Sequence, residues 1–222
     1  MHLVSLSLSI IDKIYNTDSK TSAIFDDVVK SSVSAAVQGI NATVFAYGQT
    51  ASGKTFTVRG TESSPGLIPL SIIEIFKETA KIKDRKFRIA VSSLELYNEA
   101  INDLLTEDND KLEIKENLHG VFIKGLSSFE VTSPEQAMQF LREGDTRKKM
   151  AETKMNVQSS RSHTVFRINV ESTPVDALPV VASRVSQLNL VDLAGSEGVS
   201  KTKAEGIRLR LERPIIACIG KE

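Results

Sequence analysis

Cys218 is the only cysteine in this 222-residue chain. One thiol excludes a disulfide framework and any multi-cysteine zinc site. Net charge is missing too: 28 Lys and Arg balance 28 Asp and Glu. Bulk electrostatics therefore favour no class of partner, and a polyanion would have to be met by a local basic patch. No apolar run approaches the length of a membrane span. The N-terminal apolar residues Leu3, Val4, Leu6, Leu8 and Ile10 have neither a basic region before them nor a small-residue cleavage site after them. They read as a strand rather than a signal peptide, and cytosol or nucleus is the expected compartment. What is present, 41% hydrophobic and 25% charged residues, suits one ordinary globular domain with a real core.

The most informative stretch is Gly48-Gln49-Thr50-Ala51-Ser52-Gly53-Lys54-Thr55, a complete G-x-x-x-x-G-K-[ST] phosphate-binding loop. The β-branched and aromatic run Thr43–Tyr47 before it suits a buried parallel strand. Phe56-Thr57-Val58 after it lets a helix begin near Lys54. Gly48 and Gly53 allow the backbone to close on an anion, with successive N–H groups turned inward. Lys54 places an ammonium on β- and γ-phosphates, and Thr55 offers a hydroxyl to Mg²⁺. The competing reading is a Gly/Ser/Thr-rich turn that happens to match.

Elsewhere the pattern alternates between strands and helices. Leu6–Ile11 reads as a strand, and Ser19–Gln38 as a helix through Ile24, Val28, Val29, Val33, Ala36 and Val37, stopped by Gly39. Leu67–Ile82 is expected to be helical and Lys86–Tyr97 to be a strand. Short strands are expected at Leu112–Ile114 and Val121–Ile123. Ser133–Glu143 is a helix capped by Ser133 with Pro134 first. Phe166–Val170 and Gln187–Val191 are two further strands, joined by the proline-containing Glu171–Ser183. Interleaving of this kind predicts an α/β sheet.

Two more segments carry chemistry. Leu188–Glu197 is an apolar strand ending in Asp192, a carboxylate placed to face the magnesium water shell, with Gly195 able to bring a backbone N–H near a γ-phosphate. Alone, such an Asp is equally a turn or cap residue; beside a phosphate loop the metal reading prevails. Asn156–His163 supplies three serine hydroxyls and the guanidinium of Arg161, which matches a carboxylate in shape. By pattern alone that segment is as well read as a solvated turn.

Taken together, Ala46–Thr57, Asn156–His163 and Val191–Glu197 resemble, in that order, the phosphate loop, switch I and switch II of the kinesin motor domain. Ser93–Glu99 with Asp103-Leu104-Leu105 is similar to the same family's strand and following turn. The resemblance runs from about Ile11 to Gly206, leaving 207–222 as a divergent tail on a partial motor domain. It implies a three-layer α/β/α P-loop NTPase fold, with a central, mostly parallel mixed sheet truncated at both ends. It also implies ATP and Mg²⁺ as ligands and microtubules as partner, on the cytoplasmic cytoskeleton. Nothing points to nucleic acid or membrane, and no Asn-Lys-x-Asp guanine-reading motif occurs. Thr153–Asn156 with Gln49-Thr50-Ala51 is similar to the centromere-associated, protein-E-like kinesins, which adds spindle or kinetochore as locations.

The resemblance assigns roles by position. Gly48, Gln49, Thr50, Ala51, Ser52, Gly53, Lys54 and Thr55 cradle phosphates. Ser159 and Ser160 close over the γ-phosphate, and Thr55, Ser160 and, through water, Asp192 serve the metal. Arg161 pairs with Glu197 around the attacking water, and Gly195 senses the γ-phosphate. Phe56 sits beside the adenine, with core packing as its other reading. Ser162 and His163 hold their loop. His2 and His119 read as surface residues.

The sequence also departs from the family. It lacks the Arg-x-Arg-Pro segment that lines the adenine pocket, and Ile11–Tyr15 stands in place of Phe-Asp-x-Val-Phe. After Gly206, Leu211-Glu212-Arg213-Pro214 replaces the expected start of the tubulin-seating helix, and Pro214 would break a helix there. Microtubule binding is therefore expected to be weak or lost, and no oligomerisation element is seen. Lys201, Lys203, Arg208 and Arg210 are either a remnant of the tubulin surface or a solvated tail. Two functions stay open: an ATP-hydrolysing motor fragment, and a non-catalytic motor-like module that binds nucleotide or protein.

Overall fold

The structure, a computed structural model, describes residues 13–107, 112–117, 120–155, 161–175 and 183–196. Outside these lie the expected strand at Leu6–Ile11, the histidines His2 and His119, and the tail with Lys201, Lys203, Arg208, Arg210, Pro214 and Cys218.

One mixed sheet organises the chain. Its path runs β1 (Ala42–Ala46), β8 (Arg184–Asp192), β7 (His163–Pro174), β2 (Arg85–Tyr97) and β3 (Ala100–Asp103), and β6 (Phe129–Val131) also pairs with β2. The sheet was expected to be mostly parallel. Only β1 and β8 pair that way among the described residues; β8–β7, β7–β2, β2–β3 and β2–β6 are all antiparallel. The β2–β3 and β7–β8 steps are local chain reversals, whereas β2 meets β6 and β7, and β1 meets β8, only after long excursions of the chain. A separate antiparallel pair, β4 (Glu113–Asn117) with β5 (Gly120–Lys124), is the two short strands expected from sequence.

Alternation along β7 sets the core. Thr164, Phe166, Ile168, Val170 and Ser172 are buried, whereas His163, Val165, Arg167, Asn169 and Glu171 are only partly so. In register, Phe166 and Ile168 lie beside Leu190 and Leu188 of β8, and Ile168 and Val170 beside Val91 and Ile89 of β2. These residues pack with Val29, Val33 and Val37, Val58, Ile68, Ile72 and Ile75, and Leu141 as a single cluster. The helices that supply them all cover this one face of the sheet. They are α1 (Thr21–Ile24) running through a π turn at Phe25–Val29 into α2 (Lys30–Val37), α3 (Lys54–Arg59), α4 (Leu67–Lys81) and α5 (Pro134–Met155). Of the three layers expected, the described residues form two. The other face carries a polar chain, in which Arg167 donates to Asn189 at 2.8 Å and Asn189 to Thr43 at 3.3 Å.

The helix expected at Ser19–Gln38 is interrupted by the wide π turn. The turn buries Phe25 and Val29 and swings Val28, read as core, out to 47% exposure. Helix α5 starts where expected: Ser133 Oγ accepts the Gln136 amide at 3.3 Å, and Gln136 Oε1 accepts the Thr132 amide at 2.7 Å. It continues well past Glu143, across Gly144. A Cβ at Gly144 would meet Leu104 Cβ and Ser93 Oγ at 3.5 Å, ordinary van der Waals contact, so the helix passes over the sheet here with room for an alanine. Asp103 fixes the turn beneath it, with Oδ1 accepting the Leu105 amide at 2.8 Å and Oδ2 the Ser127 amide at 2.7 Å.

Between α2 and α4 the carboxylate of Glu74 is buried against Lys30 at 3.5 Å and Lys77 at 3.4 Å. Burial pushes its pKa up, but the Lys77 hydrogen bond and the charge of Lys30 outweigh this and hold it below its ordinary 4.5. A folded-state pKa lowered in this way stabilises the fold above the unfolded value and loses that contribution as pH falls through the lowered one. Urea titrations from about pH 6 to pH 3 should therefore show wild type losing more stability than Glu74→Gln. Parallel pH profiles would remove the charge from the account.

Candidate functional site

Strand β1 ends at Ala46, and in the parallel register Ala46 lies beside Asp192, the last residue of β8. The loop Tyr47–Gly53 and the segment Leu193–Ser196 therefore leave the same edge of the sheet side by side. Two backbone bonds lash them together: the Leu193 amide donates to Ala46 O at 3.4 Å, and the Ser196 amide to Gly48 O at 3.0 Å. On the other side, His163 Nδ1 accepts the Ala194 amide at 3.2 Å, so this imidazole, expected from sequence to hold its own loop, ties the start of β7 to the segment after β8.

The loop turns back on itself through Ser52 N–H to Gln49 O at 3.2 Å. Gly53 enters α3 with φ 90° and Ala51 sits at φ 62°, both left-handed. Gln49, Thr50, Ala51, Ser52 and Gly53 are all exposed, leaving the concave side open to a ligand. At the start of α3 the first amides have no carbonyl one turn earlier to bond, which leaves donors turned toward the loop. The Lys54 ammonium crosses back over the loop to Gly48 O and Gln49 O, each at 2.8 Å. Thr55, next along, donates from Oγ1 to Asp192 Oδ2 at 2.7 Å.

Asp192 is 6% exposed, and its second oxygen, Oδ1, is buried without a hydrogen-bond partner among the described residues. A buried carboxylate oxygen in that condition is costly. Its neighbour is the hydroxyl of Thr55 in a hard, all-oxygen setting, the donor chemistry that suits Mg²⁺ with most of its water retained. The residues present fit that ion.

Other predicted residues divide clearly. Phe56 is 52% exposed, so core packing is excluded as its role and its ring is free to meet a ligand. Arg161 is exposed, one residue before buried Ser162 at the entrance to β7. Gly195 follows Asp192 along the segment tied to Gly48. Ser159, Ser160 and Glu197 lie outside the described residues.

Sequence reasoning missed a second tier beneath the site. Asp192, Thr164 and Glu95 form one row across β8, β7 and β2, on the helix-covered face and all at most 6% exposed. Lys148 of α5 reaches into the row, bonding Thr164 Oγ1 at 2.8 Å and lying 3.7 Å from Glu95 Oε1. Arg59, at the end of α3, forms an ion pair with Asp145 of α5. Burial pushes the Arg59 guanidinium below its ordinary value, while the charges of Asp192 and Glu95 pull it back up. The available signal was parity: Glu95 shares the inward register of Ile89 and Val91, and Thr164 that of Phe166, Ile168 and Val170.

Comparison with known proteins gives a consistent set of relatives. The family profile described as the kinesin motor domain matches residues 9–217. Kinesin-like protein KIN-7N of Arabidopsis thaliana is 47% identical over 200 residues, covering 90% of this chain and 24% of the relative. Kinesin-like protein KIN-7L of Oryza sativa subsp. japonica is 47% identical over 201 residues, covering 90% and 31%. Kinesin-related protein 4 of Dictyostelium discoideum is 45% identical over 204 residues, covering 90% and 10%. The solved structure of a fast kinesin superposes with a TM-score of 0.81 at 38% identity, covering 92% of this chain and 58% of that one. The chain thus spans less than a third of these curated relatives.

The two left-handed loop residues give an opposed pair of effects. Gly53→Ala meets no atom within 4 Å, so its whole cost is backbone strain, about 1–2 kcal/mol of unfolding free energy. Ala51→Gly relieves such strain and should be neutral or stabilise by up to about 1 kcal/mol. Urea denaturation of both variants checks this, and a shared sign would contradict the loop geometry.

Proposed function

This chain belongs to the kinesin motor domain family, and on that premise we propose that it binds ATP with Mg²⁺ and hydrolyses it as the nucleotide core of a microtubule motor. Kinesin motor domains in general bind ATP, depend on Mg²⁺ and associate with the microtubule cytoskeleton. One observation carries the reading for this chain. Thr55 Oγ1 bonds Asp192 Oδ2 while Asp192 Oδ1 is left buried and unpartnered, directly beneath a loop that presents Lys54.

In this reading each residue acts through its own chemistry. The amides of Gly48 to Thr55 receive the phosphate oxygens, and the Lys54 ammonium moves from the Gly48 and Gln49 carbonyls to the β- and γ-phosphates. Thr55 and Ser160 contribute hydroxyls to the metal site, and Asp192 acts on it through water. The metal, when bound, neutralises charge on the phosphate oxygens. Ser159 closes over the γ-phosphate, and the Gly195 amide, with no Cβ in the way, donates to it. Arg161 and Glu197 pair to orient the attacking water. Phe56, already exposed, stacks on the base. Such an arrangement is a two-state latch, ordered by the γ-phosphate and released on hydrolysis.

Engagement of microtubules by this chain belongs to the same proposal, as does a spindle or kinetochore location suggested by its protein-E-like residues. Weakened tubulin binding, as read from residues 201–214, is tested by co-pelleting with microtubules. Pelleting at the affinity of a complete motor would overturn it.

Lys54→Ala removes a charge-assisted contact worth about 1.5–3 kcal/mol, and so should weaken ATP–Mg²⁺ binding roughly 10- to 100-fold by calorimetry. Glu197→Ala should retain binding while phosphate release falls by at least about 100-fold, the range of an acid–base or water-positioning group. Unchanged affinity in the first variant sinks the nucleotide reading. Unchanged turnover in the second sinks the latch.

A further inference from the structure

Five charged groups gather behind the phosphate loop on the helix-covered face: carboxylates Asp192, Glu95 and Asp145, and cations Arg59 and Lys148. They are arranged by simple spacing. Thr55 and Arg59 stand four apart on α3 and so share one of its faces, and Asp145 and Lys148 stand three apart on α5 and share another. From α3, Thr55 reaches Asp192 and Arg59 reaches Asp145. From α5, Lys148 reaches Glu95 and Thr164, and Thr164 is the register neighbour of Asp192.

Pairing leaves one carboxylate over. Lys148 answers Glu95, Asp145 meets Arg59 as an ion pair, and Asp192 keeps a buried oxygen, as Arg59 keeps its Nη1, without a hydrogen-bond partner among the described residues. Yet Arg59 is a fixed, permanently charged fork on the same helix face as Thr55, with a side chain only 12% exposed. Burial presses its charge down, and the carboxylates of Asp192 and Glu95 both act to restore it. Freed from Asp145, it has a natural alternative acceptor in Asp192.

We propose that Asp145 is a positioning residue that holds Arg59 on α5 and so keeps Asp192 available to a divalent cation. Arg59 is then a built-in competitor for the metal site, and Asp145 is the group that restrains it. The inference rests on the nucleotide–Mg²⁺ reading above. It goes beyond that reading by giving α5 a role in metal affinity through a residue that touches neither nucleotide nor metal.

The two partners of one ion pair then have opposite effects, which a purely structural pair would not. The test is titration of the full chain with Mn²⁺ in the presence of ADP, read by electron paramagnetic resonance, with urea denaturation run on each variant. Asp145→Asn should raise the Mn²⁺ dissociation constant about tenfold, the low end for a group that supports a metal ligand from outside. Arg59→Met, which keeps the buried stem but not the charge, should bind Mn²⁺ at least as tightly as wild type. The double variant Arg59→Met with Asp145→Asn should match Arg59→Met, because without the competitor the restraint is not needed. The double variant also carries the test where Asp145→Asn fails to fold, since removing both charges together leaves neither one buried and uncompensated.

Equal weakening in both single variants, or a double variant that binds Mn²⁺ more weakly than wild type, would overturn the inference. Wild type that binds ADP with no dependence on Mn²⁺ would overturn the nucleotide–metal reading itself, and this inference with it.

Discussion

The bond from Thr55 to Asp192 joins residues 137 positions apart, and it exists because β1 and β8 run side by side in the same direction. Parallel neighbours end at the same edge of a sheet, so the loop leaving β1 and the carboxylate closing β8 arrive together. The register sharpens this by setting Ala46 against Asp192. If β8 were reversed against β1, as every other described pair of the sheet is, Asp192 would stand at the far end of the strand. The one parallel contact in a largely antiparallel sheet is therefore the one on which the candidate site depends.

That edge is also where the core changes character. Along the helix-covered face, the row of Val91 with Ile168 and Leu188 is hydrocarbon, and that of Ile89 with Val170 ends in the small buried hydroxyl of Ser186. The last row, Glu95 with Thr164 and Asp192, is polar and just as buried. Apolar residues of similar volume would often stabilise such a position as well or better. Burying carboxylates there costs free energy unless cations or a metal answer them. Lys148 of α5 answers Glu95, and from α3 Thr55 bonds one oxygen of Asp192 and leaves the other for a metal. In consequence α3 and α5 are held to the sheet electrostatically at the site end and by hydrocarbon packing elsewhere.

Much of this was legible in the sequence, for identifiable reasons. The phosphate loop is contiguous, and its strand and helix are specified by neighbours, so its position could be read locally, whereas Phe56 was left between stacking and core packing until its exposure was seen. Asp192 could be placed because an apolar strand precedes it. Strand direction could not be read, because alternation along β2, β7 and β8 fixes which side chains face inward but not which way a neighbour runs. The short strands β3 and β6 depend on pairing with β2 rather than on their own composition. Helix α5 extends past Gly144, whose low helix propensity is a local cost that the helix as a whole outweighs. The Arg59–Asp145 pair was invisible for a related reason: its members lie on separate helices, and only the tertiary fold brings those helices together.

The carbonyl of Gly48 draws these threads together. It accepts the Lys54 ammonium at 2.8 Å and the Ser196 amide at 3.0 Å, which together fill the two lone pairs such an oxygen offers. One donor belongs to the phosphate loop and the other to the segment beyond Asp192. An anion that draws the ammonium off the carbonyl therefore alters the acceptor that holds Leu193–Ser196 in place, with no longer-range relay required. Because His163 grips the same segment at Ala194 from the start of β7, the change is shared at once by three elements of the sheet edge. The phosphate loop and the residues after Asp192 thus meet at one shared acceptor.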